Sequence, residues 1–131
     1  MSNLPDTAAI DAQNEEALQE LIWAIERSQG QFKPLLVHCN YSALRRYCLG
    51  QLRQMYPSAI AEIALSPTDR NLYATLRSHL TPPFPTALAI LGLEGVREID
   101  SWLSSTNLMR NELQNDYPVP LVLWVNDEII K

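Results

Sequence analysis

The chain has 131 residues, of which 47% are hydrophobic, so it has the size and apolar content of one compact domain. Ten Lys and Arg residues against fifteen Asp and Glu residues give a net charge of -5, which argues against holding a nucleic-acid backbone by charge. No apolar stretch approaches the roughly twenty residues that cross a bilayer, and the N-terminus lacks the segments of a signal peptide. We therefore expect a cytoplasmic protein in which Cys39 and Cys48 are free thiols.

Hydrophobic periodicity predicts an alternation of helices and strands. In chain order the predicted elements are a helix at 12–29, a strand at 34–39, a helix at 43–55, a strand at 60–65, a helix with the stripe Leu72 to Leu80, a strand at 86–91, a helix at 96–115 and a strand at 120–125. The strands are continuous apolar runs, which is typical of a parallel sheet covered on both faces. We expect a single three-layer α/β/α domain over 1–131 with four mainly parallel strands, and a flexible or edge-covering tail at 1–11.

Three phrases at the predicted strand ends carry a family resemblance: LLVHCNYSALR at 35–45, LAILGLEGV at 88–96 and PLVLWVNDE at 120–128. Together with the order of elements, these phrases resemble a P-loop NTPase-like domain of the STAND or AAA type. More specifically, they resemble the N-terminal domain of cyanobacterial multidomain proteins in which tetratricopeptide repeats follow. The resemblance implies the strand order 1-4-3-2, whereas a flavodoxin-like order would place the third strand beside the first. It also implies a fifth strand that is absent up to Lys131, so we expect a fragment or a truncated form of a larger protein.

The residues that a working NTPase needs are missing from these phrases. A phosphate loop has the form G-x-x-x-x-G-K-[ST], but the first predicted strand runs into His38 and on to Arg45 without a glycine or a lysine. Leu91 stands where the resemblance implies the Walker B aspartate, and Glu94 alone matches the second acid. We therefore expect a degenerate domain that is not an enzyme and needs no cofactor or metal ion.

The resemblance implies a relic nucleotide site at the strand ends. Its candidate residues are Asn40, Ser42, Arg45, Glu94, Asn126 and Asp127. Arg45, at the N-terminus of a predicted helix, is suited to hold a phosphate without a lysine, or else Arg45 and Arg46 are ordinary surface side chains. Glu94, Asn126 and Asp127 are expected to converge as a relic acid and sensor, or else Asn126 and Asp127 simply cap a turn.

A metal or nucleophile site elsewhere is not favoured by the remaining residues. His38, Cys39, Cys48 and His79 lack the spacing of zinc ligands. His38 and Cys39 are adjacent in a strand and point to opposite faces, so they cannot act as base and nucleophile.

Two functions follow as hypotheses. The first is a non-catalytic protein-interaction or regulatory module; the second is a nucleotide-binding or weakly hydrolysing domain that uses Arg45 with ATP and magnesium. In the order 1-4-3-2 the first strand is an edge, and its run Leu35, Leu36 and Val37 has no charge to discourage strand addition. We expect a protein partner or self-association there, unless the segment before Asp11 or the first helix covers the edge, and no nucleic-acid or membrane partner.

Overall fold

The computed structural model describes residues 8–12, 16–55 and 60–127. Within these ranges the elements are β1 (Ala8–Asp11), α1 (Ala17–Arg27), β2 (Lys33–His38), α2 (Ser42–Met55), β3 (Ile60–Ala64), α3 (Leu72–His79), β4 (Ala87–Leu91), a short 3-10 helix (Leu93–Gly95), α4 (Ile99–Leu108), α5 (Arg110–Asp116) and β5 (Pro120–Val125). Among the helices described, none combines the length and the apolar character that a membrane span requires.

The strands form one parallel sheet in the order β1-β2-β5-β4-β3. At its centre β2 pairs with β5 over the full length of both strands, from Lys33 opposite Pro120 to His38 opposite Val125. β5 is buried at every position and β4 at every position but its last, because helices cover both faces of the sheet. The protein is therefore an α/β domain with a parallel sheet.

The strand number and the full strand order predicted from the sequence are wrong, although β2, β5, β4 and β3 keep the relative order predicted for the four strands. The sequence predicts four strands in the order 1-4-3-2 with a fifth strand absent, but the sheet has five, because Ala8–Asp11 forms β1 and pairs with β2. Ile10 is buried in the core that α1 also lines, so one apolar anchor and backbone pairing hold a strand too short to show a pattern. Leu35, Leu36 and Val37 thus lie between β1 and β5, not on an edge, and strand addition there loses its physical basis.

Two apolar clusters lie on the two faces of the sheet. α1 and α2 cover one face, the α1–α2 face, where Ile25 and Trp124 are buried. α3, α4 and α5 cover the other, the α3–α5 face, around Trp102. Successive residues of β5 alternate between them, since Trp124 belongs to the first cluster and its neighbours Leu123 and Val125 belong to the second.

The long helix predicted at 96–115 is divided in the structure. α4 ends at Leu108 and α5 begins at Arg110, with Met109 between them. Hydrogen bonds from Met109 N to Ser105 O and from Leu113 N to Met109 O continue across the division, so the two helices stay nearly continuous. The apolar spacing that predicts one helix therefore extends through both.

Candidate functional site

The carboxyl ends of β2 and β5 meet where the strand order reverses. From β2 the chain passes to the far edge of the sheet, β3, and then returns through β4 to β5. In open parallel sheets the crevice at such a point is the usual ligand site. A bond from Cys39 N to Val125 O (2.8 Å) continues the pairing of β2 with β5 into this crevice.

A cavity of about 140 Å³ lies at the crevice. Its lining comes from the β2–α2 connection, the first turn of α2, the 3-10 helix after β4 and the end of β5. The lining residues are Cys39, Asn40, Tyr41, Ser42, Arg45, Glu94, Trp124, Val125 and Asn126. Five of the six residues proposed from the sequence are therefore brought together, namely Asn40, Ser42, Arg45, Glu94 and Asn126.

Asp127, the sixth proposed residue, fixes one wall of the cavity. Asn40 Nδ2 donates to Asp127 Oδ2 (3.0 Å), and the Asp127 N–H donates to Asn40 Oδ1 (2.9 Å), so the two residues pair reciprocally. His38 Nε2 lies 2.7 Å from Asp127 Oδ1. His38 Nδ1 lies 3.9 Å from Asp11 Oδ1, so the network links the ends of β1, β2 and β5.

The β2–α2 connection is too short to be a phosphate loop. β2 ends at His38 and α2 begins at Ser42, so Cys39, Asn40 and Tyr41 make up the whole connection. None of the three is glycine, and the Cys39 thiol donates to Tyr41 O (3.2 Å), which closes the turn. A phosphate loop uses glycines to turn several N–H groups toward the phosphates. The backbone here has no such arrangement.

Opposite charges flank the cavity. Among the described lining residues Arg45 supplies the cation and Glu94 the anion, and the carboxylate of Asp127 lies behind Asn40. Leu91, at the end of β4, offers no oxygen ligand where the resemblance implies the magnesium-binding acid. Over 8–12, 16–55 and 60–127, no three His, Cys, Asp or Glu side chains are grouped so that they could hold a metal ion.

His79 lies apart from the two cysteines in the layers of the fold. Cys39 and Cys48 are free thiols, and Cys48 is buried on the α1–α2 face. Burial raises the pKa of the Cys48 thiol, and the nearby Cys39 raises it further. His79 ends α3, which covers the opposite face, and its Nδ1 lies 2.9 Å from Thr75 O. The sheet therefore separates the helix that carries His79 from Cys48.

Two side chains of the site, His38 and Trp124, are not among the residues proposed from the sequence. His38 pairs in register with Val125, two residues before Asp127, so its contact with Asp127 follows once β2 is known to lie beside β5. Trp124 is 2% exposed, and its indole Nε1 has no hydrogen-bond partner in the described part of the chain. A tryptophan in a buried strand gives no sequence signal that separates packing from binding.

Comparisons with known proteins do not place the chain in a family. The chain matches no family model, no curated protein and no solved structure. The resemblance to P-loop NTPases therefore stays a prediction from three sequence phrases.

Proposed function

We propose that this domain is a non-catalytic module, NTPase-like in architecture, that acts by contact with another protein. The observation that carries the proposal is the closed end of β2, where Asn40 and Asp127 bind each other. A nucleotide phosphate placed against this wall would lie near the negative charge of Asp127 behind Asn40, which repels it. Among the described lining residues, Arg45 alone could neutralise the charge of phosphoryl transfer, since neither a lysine nor a metal-binding aspartate accompanies it.

The size of the cavity supports the same conclusion. Its volume of about 140 Å³ is well below the roughly 300 Å³ at which small-molecule pockets begin. A nucleotide needs more room than this cavity offers, and enlarging the cavity at the wall formed by Asn40 and Asp127 would break the two hydrogen bonds between them.

Exposed apolar side chains favour a role in protein contact. Trp23 is 55% exposed, Tyr41 and Tyr47 are each 60% exposed, and Met55 is 52% exposed. All four belong to α1, to α2 or to the connection before α2. Aromatic residues and methionine are enriched at the centres of protein interfaces. We propose the outer surface of α1 and α2 as the contact surface and a second copy of the chain as its partner.

Sedimentation equilibrium over a range of concentrations tests this contact. We expect concentration-dependent association that Tyr47→Lys weakens, because the new charge would be desolvated at the interface. Leu108→Lys is the matched control, since Leu108 is 82% exposed but lies on α4, on the other side of the sheet. A chain that stays monomeric throughout, or association that both variants affect equally, would contradict the proposed contact.

A second candidate function, binding of a phosphate-bearing ligand, is favoured by one observation. The cavity collects five of the proposed residues and also holds Trp124, whose indole N–H is unpartnered among the described residues. Arg45 and the first turn of α2 would then supply the remaining donors.

Calorimetric titration with ATP and magnesium separates the two candidates. We expect no saturable heat and no phosphate release. Saturable heat that Arg45→Ala abolishes and Arg46→Ala leaves intact would favour the second candidate, because Arg45 lines the cavity and its neighbour Arg46 does not.

A further inference from the structure

A larger cleft lies away from the crevice, at the carboxyl ends of β3 and β4. Its volume is about 730 Å³, within the roughly 300–1,000 Å³ range of small-molecule sites. It is lined by residues 67–70, in the loop after β3, and by Arg97, Glu98 and Ser101, which lead into α4 and begin it. The two loops follow neighbouring strands, so they face each other across the cleft.

Hydrogen bonds hold the two loops together at the base of the cleft. Leu65 N donates to Leu91 O (2.8 Å), and Arg97 N donates to Pro67 O (3.0 Å). Gly92 has a φ of +85°, and a Cβ at this position would lie 3.1 Å from Leu65 O. Glycine therefore permits both the backbone conformation and the close approach of the loops. The walls of the cleft are fixed without a ligand, which lowers the entropy cost of binding one.

The loop after β3 is also fixed within itself. Asp69 Oδ2 accepts a hydrogen bond from Ser66 N (2.6 Å), and Asp69 N donates to Ser66 O (3.1 Å). The carboxylate of Asp69 is thus engaged in its own turn. Arg70, the next residue, remains exposed at the rim of the cleft.

The cleft presents two guanidinium groups, those of Arg70 and Arg97. Both side chains are exposed, and neither forms an ion pair with any acidic residue in the ranges that the structure describes. Guanidinium groups match the oxygens of a phosphate with paired donors. Two such groups on fixed loops therefore form an arrangement suited to a phosphate monoester.

Most of the other described lining residues are polar. Thr68 and Ser101 supply hydroxyl groups, Glu98 supplies a carboxylate, and Pro67 supplies apolar surface. None of the described lining residues carries an aromatic ring on which a nucleobase could stack. A carboxylate repels a bare phosphate but accepts hydrogen bonds from sugar hydroxyls. These groups favour a ligand that carries hydroxyls beside its phosphate.

We infer that this cleft binds a small phosphate monoester of the sugar-phosphate class. Arg70 and Arg97 hold the phosphate group, while Glu98, Ser101 and Thr68 bind the hydroxyls of the sugar. This site is separate from the crevice at β2 and β5 and does not depend on the protein contacts proposed for α1 and α2.

Titration of the full chain with glucose 6-phosphate, inorganic phosphate and glucose, followed by calorimetry, tests the inference. We expect saturable binding of glucose 6-phosphate, weaker binding of inorganic phosphate and no binding of glucose. Arg70→Gln and Arg97→Gln should each weaken glucose 6-phosphate binding by about tenfold or more, since each removes charge-assisted hydrogen bonds. Arg77→Gln, on the exposed surface of α3, should leave the affinity unchanged.

Far-UV circular dichroism establishes that the arginine variants remain folded, and both replaced side chains are exposed. Arg70→Lys and Arg97→Lys add a further readout, because lysine keeps the charge but loses the paired donors and should restore part of the affinity. The inference is overturned if glucose 6-phosphate does not saturate the chain, if neither glutamine variant weakens binding, or if inorganic phosphate binds as tightly as the sugar phosphate.

Discussion

Asn40 and Asp127 join the ends of neighbouring strands through two hydrogen bonds, and His38 contacts the same carboxylate. A hydrogen bond contributes about 0.5–1.5 kcal/mol net to folding, and solvent exposure places these at the lower end. Their position bears on the proposed function, because they lie at the crevice between the ends of β2 and β5, where open parallel sheets usually bind a ligand.

We expect Asn40→Ala to lower the free energy of unfolding by about 1 kcal/mol, because it removes both hydrogen bonds to Asp127. Urea denaturation measures the loss. Asn115→Ala, at an exposed position of α5, is the matched control and should change stability by less than about 0.5 kcal/mol. Equal effects of the two variants would mean that the pair does not hold the crevice closed.

A pH dependence is expected from Cys48, whose pKa is raised by burial and then by Cys39. The thiol stays protonated in the folded chain at a pH where it ionises in the unfolded chain. Its contribution to stability is therefore complete below the ordinary pKa of cysteine, about 8.5, and is lost as the pH rises through the raised value. Urea denaturation across this range should show a steeper decline for the native chain than for Cys48→Ala. Parallel curves for the two proteins would contradict this expectation.

At the scale of single residues, the sequence predicts where side chains lie more readily than which of them form hydrogen bonds with one another. Asn40, Ser42, Glu94 and Asn126 follow apolar runs, and parallel strands bring such residues to one end of a sheet. The bonds of Asp127 depend on the register of β2 against β5, which no residue pattern specifies. The structure therefore supplies the pairing of Asn40 with Asp127, on which the proposed function rests.

Among the elements, β1 has the largest effect on the surface of the domain. It pairs with β2 and leaves β1 and β3 as the two edges of the described sheet. The short sequence of β1 explains why it is hard to predict, because Ile10 is its single large apolar residue. Its presence changes β2 from an edge that invites strand addition into an inner strand.

We expect removal of residues 1–12 to strengthen association beyond that of the native chain, because it exposes the edge of β2 with its apolar run Leu35, Leu36 and Val37 as a further contact. Sedimentation velocity measures the association. Removal of residues 1–7 is the matched control, since it retains β1 and should leave the sedimentation of the native chain unchanged. A shorter chain that associates no more strongly than the native chain, with rapid hydrogen exchange at β2, would show that an open edge does not drive association.

Two glycines should respond oppositely to alanine. Gly92→Ala should destabilise the fold by about 1–2 kcal/mol, because φ is +85° and the added Cβ would meet Leu65 O at 3.1 Å. Gly50→Ala, within α2, meets no atom within 4 Å and should stabilise the helix by about 0.5–1 kcal/mol. Thermal unfolding measures both changes. Similar shifts in both variants would show that the Gly92 turn does not require glycine.

At the scale of the whole molecule, the central strands connect the two apolar clusters. Trp124 packs on the α1–α2 face and Leu123 on the α3–α5 face, so β5 cannot leave one cluster without disrupting the other. The sheet therefore couples the two layers of helices into one cooperative unit.

Single-tryptophan variants test this coupling. Trp102 reports on the α3–α5 face when Trp23 and Trp124 are replaced by Phe, and Trp124 reports on the other face when Trp23 and Trp102 are replaced. Within each variant we expect fluorescence and far-UV circular dichroism to give the same urea midpoint. A fluorescence transition that precedes the loss of helix would show that one face unfolds alone.

The alternation of apolar runs and amphipathic helices is enough to predict an α/β domain with parallel strands. It is not enough to count the strands, because Ala8–Asp11 is held by pairing and one buried side chain rather than by a pattern of its own. The predicted four-stranded sheet, and with it the full strand order, was wrong because this strand was not predicted. The fold class can be predicted because apolar residues recur in every strand and helix of the core. Which strand lies at the edge of the sheet depends on a few local contacts.

The attachment of β1 has a practical consequence. This strand covers β2 with four residues, and Ile10 supplies its buried apolar anchor. Once β1 is removed, the edge of β2 from Leu35 to His38 is unpaired. A strand that replaces β1 would pair there in the same parallel direction and register. A separate peptide with the sequence of residues 1–12 has the complementary edge and anchor. We expect the domain, divided into these two fragments, to reassemble through the β1–β2 pairing, so that reassembly would report that the fragments have been brought together, as in a complementation sensor.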